Sequence, residues 1–231
     1  MPLAGLLALA SQAVQVFLDL QPYPAATSVP DGFTSGFVQN IDFVGSHTLL
    51  FNSEYTLLCL AVLAFLPAVI ALFAGLRSTD VGFSVTGTAL AMVGVVLVLF
   101  ASIDAFTDIQ EAALWDSGCT ACGIFPLQAS FGTSTLPKAT QIGDLLIVVG
   151  ILILSAMMLR SAVFSKVSGV LGIVAALYAL VGGFAFSSLS ETNSDIASAV
   201  TFVLLTIWGI SITPGLLRLA KADAPLSGSS V

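Results

Sequence analysis

Met157-Met158-Leu159-Arg160-Ser161-Ala162-Val163-Phe164-Ser165-Lys166 separates two long apolar runs. The run before it covers residues 142–159 and carries one charge, Asp144. The run after it covers 167–189 and carries none. Each is about 20 residues, the length a helix needs to cross a bilayer at ~1.5 Å per residue. A short basic connector between two such runs is the signature of a membrane hairpin.

The rest of the chain repeats the theme. Of its 231 residues, 57% are hydrophobic and only 8% charged, against about 25% charged in a soluble domain. So little polar surface makes lipid the main solvent. The net charge of −7 does not indicate an acidic soluble protein, because the charges lie in loops and at helix ends. Hydropathy predicts six spans, at about 3–20, 55–76, 81–103, 142–159, 167–189 and 196–217. The fold class expected is an all-α membrane protein, a six-helix transmembrane bundle forming one domain over residues 1–221. Residues 222–231 are expected to form a short flexible tail.

Run 3–20 has a rival reading as a secretory signal, because Ala8-Leu9-Ala10 resembles a small-residue cleavage site. The missing basic n-region and the apolar run to Leu20 favour a retained span. Two long loops, 21–53 and 105–140, lie between spans. Pro22, Pro24 and Pro30 keep the first half of the earlier loop non-helical. Its second half, about 37–51, reads as a short helix at the interface or leading into the next span. Loops of this length cap a fold or bind something. Pro67 inside the second span predicts a kink.

Basic residues set the orientation. With six spans, Arg77, Arg160, Lys166, Arg218 and Lys221 fall on one face and only Lys138 on the other. The positive-inside rule makes the first face cytoplasmic. The expected localisation is a multi-pass cell-membrane protein with both termini cytoplasmic and both long loops extracytoplasmic. Eleven of the thirteen acids then lie outside, either as a solvated surface or as a cation-attracting vestibule.

Small residues recur at four-residue spacing, at Ser168, Gly172 and Ala176 in the fifth span and at Gly87 and Ala91 in the third. Such spacing lets helix backbones approach closely and reads first as packing within the bundle. The two basic turns echo one another. Leu76-Arg77-Ser78 leads to Phe83-Ser84, and Leu159-Arg160-Ser161 leads to Phe164-Ser165.

Few residues carry chemistry. Cys119 and Cys122 lie in the outer loop, where an oxidising environment makes a local disulfide the first reading. A thiol–disulfide relay needs a second pair, and only Cys59 remains. Haem attachment is unsupported, since Gly123 follows Cys122. A zinc site lacks ligands, with one histidine in the chain. No cofactor or metal is expected. Glu54, Asp104, Asp144 and His47 form a candidate ion or proton site at the outer face. Asp144 stands out because ionisable groups within spans are functional candidates. Its position near the start of a span also suits a carboxylate stabilised by the helix dipole.

The segment from Ser155-Ala156-Met157-Met158-Leu159-Arg160-Ser161 through Phe164 to Gly172 resembles that of a six-span prokaryotic family catalogued as domain of unknown function 4386. Trp208 and the following Leu216-Leu217-Arg218-Leu219 are similar too. The resemblance implies the six-helix fold and no established activity. It transfers no catalytic residue, and the loop holding Cys119 and Cys122 departs from the family pattern.

The function expected is an integral membrane protein without an evident catalytic site, an accessory or interaction subunit of a membrane assembly. Its partners would be the lipid bilayer and other membrane subunits meeting the outer loops, with no nucleic acid. Two alternatives remain, a small cation or proton transporter using the outer acids and an extracytoplasmic thiol–disulfide protein.

Overall fold

The computed structural model describes residues 2–22, 35–116, 135–182 and 191–222. The elements among them are seven α-helices: α1 (Pro2–Asp19), α2 (Ser35–Ser46), α3 (Thr48–Leu76), α4 (Val81–Asp116), α5 (Thr135–Met158), α6 (Lys166–Val181) and α7 (Glu191–Ala222). Four of them, α3, α4, α5 and α7, are long and apolar enough to cross a membrane, as in an integral membrane protein. The other two apolar helices, α1 and α6, are shorter.

The outward faces are apolar as well. On α4, Val93, Val96, Phe100 and Ile103 are exposed while Ala91, Val95 and Val98 are buried. A helix apolar all round suits burial in lipid on one side and protein on the other.

Six helices close into a ring. In chain order α1, α3, α4, α5, α6 and α7 each pack on the next, and α7 returns to α1. The tightest seam joins α4 and α5. Gly87, Ala91 and Gly94 face Gly143, Ile147 and Gly150 in antiparallel register. A Cβ at Gly150 would lie 2.6 Å from the Gly87 carbonyl oxygen and 2.8 Å from the Ala91 nitrogen. One at Gly143 would lie 2.9 Å from the Gly94 carbonyl oxygen. Only glycine lets the two backbones come this close. The small residues of α6 likewise serve the bundle. Gly169 and Gly172 lie against Ser155 of α5, and the Ser168 hydroxyl donates to the Ser211 carbonyl of α7 at 2.9 Å.

The end of the ring carrying Arg77, Arg160 and Arg218 is solid. Leu72, Leu76, Leu154, Met158, Phe164 and Ile212 form its buried core. Phe164 comes from the connector, not from a helix. Its ring occupies the space that side chains at Gly75 of α3 and Gly215 of α7 would need, 2.9 Å and 2.6 Å from their notional Cβ atoms. The connector therefore wedges α3 and α7 at their basic ends.

Both basic turns end in a helix cap. Asp80 Oδ1 accepts from the Phe83 N–H at 3.2 Å, and Ser165 Oγ accepts from the Ser168 N–H at 3.0 Å. Each satisfies a donor left free in the first turn of its helix.

The helices extend further than hydropathy predicts. α3 begins at Thr48 and not at 55, α4 continues to Asp116 and not to 103, and α5 begins at Thr135 and not at 142. With 36 residues, α4 is about 54 Å long at ~1.5 Å per residue, well beyond a ~30 Å hydrocarbon layer. The extra turns are amphipathic. Ile109, Ala112 and Trp115 are buried at three-residue spacing, against Ile41 and Val44 of α2. The Trp115 indole donates to Asp42 Oδ1 at 3.0 Å. The predicted short helix is thus α2, and it caps the projecting end of α4. Helix α3 runs through Pro67, and α7 through Pro214.

Candidate functional site: a central apolar cavity

Away from the basic end the ring does not fill its centre. A cavity of about 260 Å³ lies there, walled by all six ring helices. On α5 the lining residues are Asp144, Ile147, Val148 and Ile151, the i, i+3, i+4, i+7 stripe of one helix face. On α7 they are Thr201, Phe202, Leu205 and Trp208. Helix α1 presents Ala4, Gly5 and Ala8; the small side chains of Ala4 and Ala8 reach little into the space, and Gly5 lets α1 pack against Thr206 of α7. Ile151 and Trp208 belong both to the lining and to the solid core, so they form the floor.

The lining is apolar apart from a few groups. Among the described residues Asp144 is its only ionisable one, and it is exposed on the stripe that faces the cavity. Below it, Trp208 is 1% exposed, and its indole N–H has no hydrogen-bond partner. The Ser155 hydroxyl, fully buried, has none either. Both atoms point at Gly172, whose missing side chain leaves the room they occupy. An unmet buried donor costs on the order of 1–3 kcal/mol, and these two sit beside Gly172, behind the cavity lining.

The structure revises the position of Asp144. Because α5 starts at Thr135, Asp144 lies nine residues into the helix, about 14 Å from its first residue. The helix dipole acts within that first turn, so it does not stabilise this carboxylate. Residues 135–141 continue the helix where hydropathy alone ends it. Nor do Asp104 and Asp144 share a depth. Gly143 packs at the level of Gly94, ten residues, or about 15 Å, below Asp104 along α4.

Of the four candidate residues, the cavity takes in Asp144 alone. Asp104 is exposed. Glu54 is buried near the start of α3, where its backbone carbonyl accepts from Ser11 Oγ of α1 at 3.2 Å. Its neighbour Tyr55 is within electrostatic reach of Glu54 and Asp108 and packs edge-on to Phe106. His47 forms the break between α2 and α3. Its Nδ1 lies 2.9 Å from the Phe43 carbonyl oxygen and 3.0 Å from Ser46 Oγ, and its ring lies 4.6 Å from that of Phe43. Among the described residues no group of three or more His, Cys, Asp or Glu side chains could hold a metal ion. Cys119 and Cys122 lie outside the described residues, and Cys59 is a free thiol.

Sequence reading missed the cavity walls, above all Ala61, Phe65 and Phe202. The available signal was the small-residue stripe Ala4, Gly5 and Ala8 opposite aromatic residues, which spacing alone does not distinguish from a packing seam. Comparison with known proteins adds no template: no family model, no curated protein and no solved structure matches the chain.

Proposed function

We propose that this chain is a six-span membrane receptor for one small apolar or amphiphilic molecule, held inside the helix ring. One observation carries the proposal: six helices close around an apolar cavity while the basic end below it is filled solid. Ligand sites have this character, mostly apolar with a few convergent polar groups. The cavity is closed below by Ile151 and Trp208, which favours binding over a through-channel. For orientation, Arg77, Arg160, Lys166, Arg218 and Lys221 all mark the solid end as cytoplasmic under the positive-inside rule. The likeness to the six-span family of unknown function stands with this reading and adds no activity to it.

The test uses the two tryptophans, Trp115 and Trp208. Trp115→Phe leaves Trp208 as the sole emitter at the cavity floor. In lipid nanodiscs, bromobenzene should quench it saturably, and Val148→Phe should remove the saturable component. Quenching that rises linearly with the partitioned probe in both proteins would defeat the proposal.

A second reading, an accessory subunit docking through its outer side, is supported by the projecting platform of α2 and the end of α4. Purification in mild detergent with mass spectrometry of co-eluting proteins tests it. A stoichiometric partner lost on deleting residues 35–46 supports it, and a partner-free monomer counts against it.

A further inference from the structure

We infer that the cavity is built for a small organic cation: an ammonium group carrying apolar substituents, with Asp144 as its counter-charge. The inference rests on the receptor reading above and names the class of ligand.

Three observations converge. First, among the described residues Asp144 is the only ionisable group in the lining, and no basic side chain of theirs lines the cavity. A carboxylate in apolar surroundings is costly unless it is paired. No described side chain supplies that partner, and a cationic ligand can bring it. Second, three aromatic residues, Phe65, Phe202 and Trp208, line the same cavity. Aromatic faces attract cations, with tryptophan the strongest, and the attraction grows when water is excluded. Third, the oxygens suit an organic cation better than a metal ion. The described lining side chains carry the Asp144 carboxylate and the already engaged Thr201 hydroxyl, against the six to eight oxygens that hard cations such as calcium take. A carboxylate at one side, aromatic walls and aliphatic surfaces between them match a molecule with one cationic centre and a greasy body.

The acid excess at the same end of the helices acts in the same direction. Asp104, Asp108 and Glu111 of α4 extend beyond the level of Asp144. They raise the local concentration of cations over anions near the cavity.

An isosteric pair tests the charge alone. Phenyltrimethylammonium and tert-butylbenzene have nearly the same shape, and only the first is charged. Binding of each to the full chain in lipid nanodiscs is measured by calorimetry, for wild type, Asp144→Asn and Asp144→Glu. Wild type should prefer the cation by about tenfold or more, the scale of one desolvated cation–aromatic contact. Asp144→Asn should lower that preference severalfold, leaving the share owed to the aromatic walls, and keep tert-butylbenzene binding, which also shows that the variant folds. Asp144→Glu should restore part of the preference. Equal binding of both compounds to wild type would overturn the inference and leave the receptor reading intact. A preference unchanged in Asp144→Asn would overturn the role of Asp144. Failure of both compounds to bind wild type would remove the receptor reading itself.

Discussion

The two halves of the helix ring are built from the same helices and differ in what fills their centre. In the basic half, Leu72, Leu76, Leu154, Met158 and Ile212 meet around the ring of Phe164. In the other half, Ala4, Ala8, Ala61, Val148 and Leu205 line a cavity of about 260 Å³. The difference lies in side-chain volume and in one inserted element. The connector 159–165 sends Phe164 inward at one end, and no described segment does so at the other. Inside lipid, apolar burial does not separate helix–helix from helix–lipid contact, so close packing must hold the ring together. The filled half therefore bears the stability, which leaves the other half free to keep a site.

Substitutions can break or sharpen this contrast. The largest effect is expected at the seam, where backbones touch. Gly150→Leu should prevent the ring from assembling, seen as loss of the monodisperse peak in detergent, because its side chain has nowhere to go between Gly87 and Ala91. A monodisperse, wild-type-like protein would show that the seam is not what holds the ring. Next comes Phe164→Ala, expected to cost about 3–4 kcal/mol, as for other large buried aromatics. Its sequence counterpart Phe83 is 58% exposed, so Phe83→Ala should stay within about 0.5 kcal/mol. Thermal melts of the two variants in detergent should separate clearly, and equal melts would refute the wedge. Trp115→Phe removes the indole hydrogen bond to Asp42 and should cost about 1–3 kcal/mol. Protease sensitivity of the α2 segment is the readout, with the ring's own melt little changed. The smallest effect belongs to the cavity. Val148→Leu adds volume where there is room, so the melt should move by less than about 0.5 kcal/mol equivalent. A large destabilisation there would mean the cavity wall is as tightly packed as the floor.

The Phe83 and Phe164 pair shows how far sequence reading reached. The echo between the two basic turns is real at the level of capping, since Asp80 and Ser165 both hold the N–H three residues on. It fails for the aromatic side chains, one exposed and one buried, because burial depends on where α3 and α7 converge. The short helix within 37–51 was legible, as was the packing role of the small residues at Gly87, Ala91, Ser168 and Gly172. The end of α4 was not. Asp108 and Glu111 lower its hydropathy, while its apolar face of Ile109, Ala112 and Trp115 is visible only at helical period. Asp144 was singled out for its place in a span, but its depth required the true start of α5.

The sequence by itself determined that this is a helical chain made for lipid, with short basic turns at one end of its helices. Composition and run length suffice for that, because a backbone in hydrocarbon must satisfy its own hydrogen bonds. Tertiary structure alone decided that the helices close into a ring, that Phe164 fills one end, and that Asp144 faces a cavity at the other. Those facts depend on which faces meet and how much volume the meeting side chains leave over, and neither quantity is a property of any single stretch.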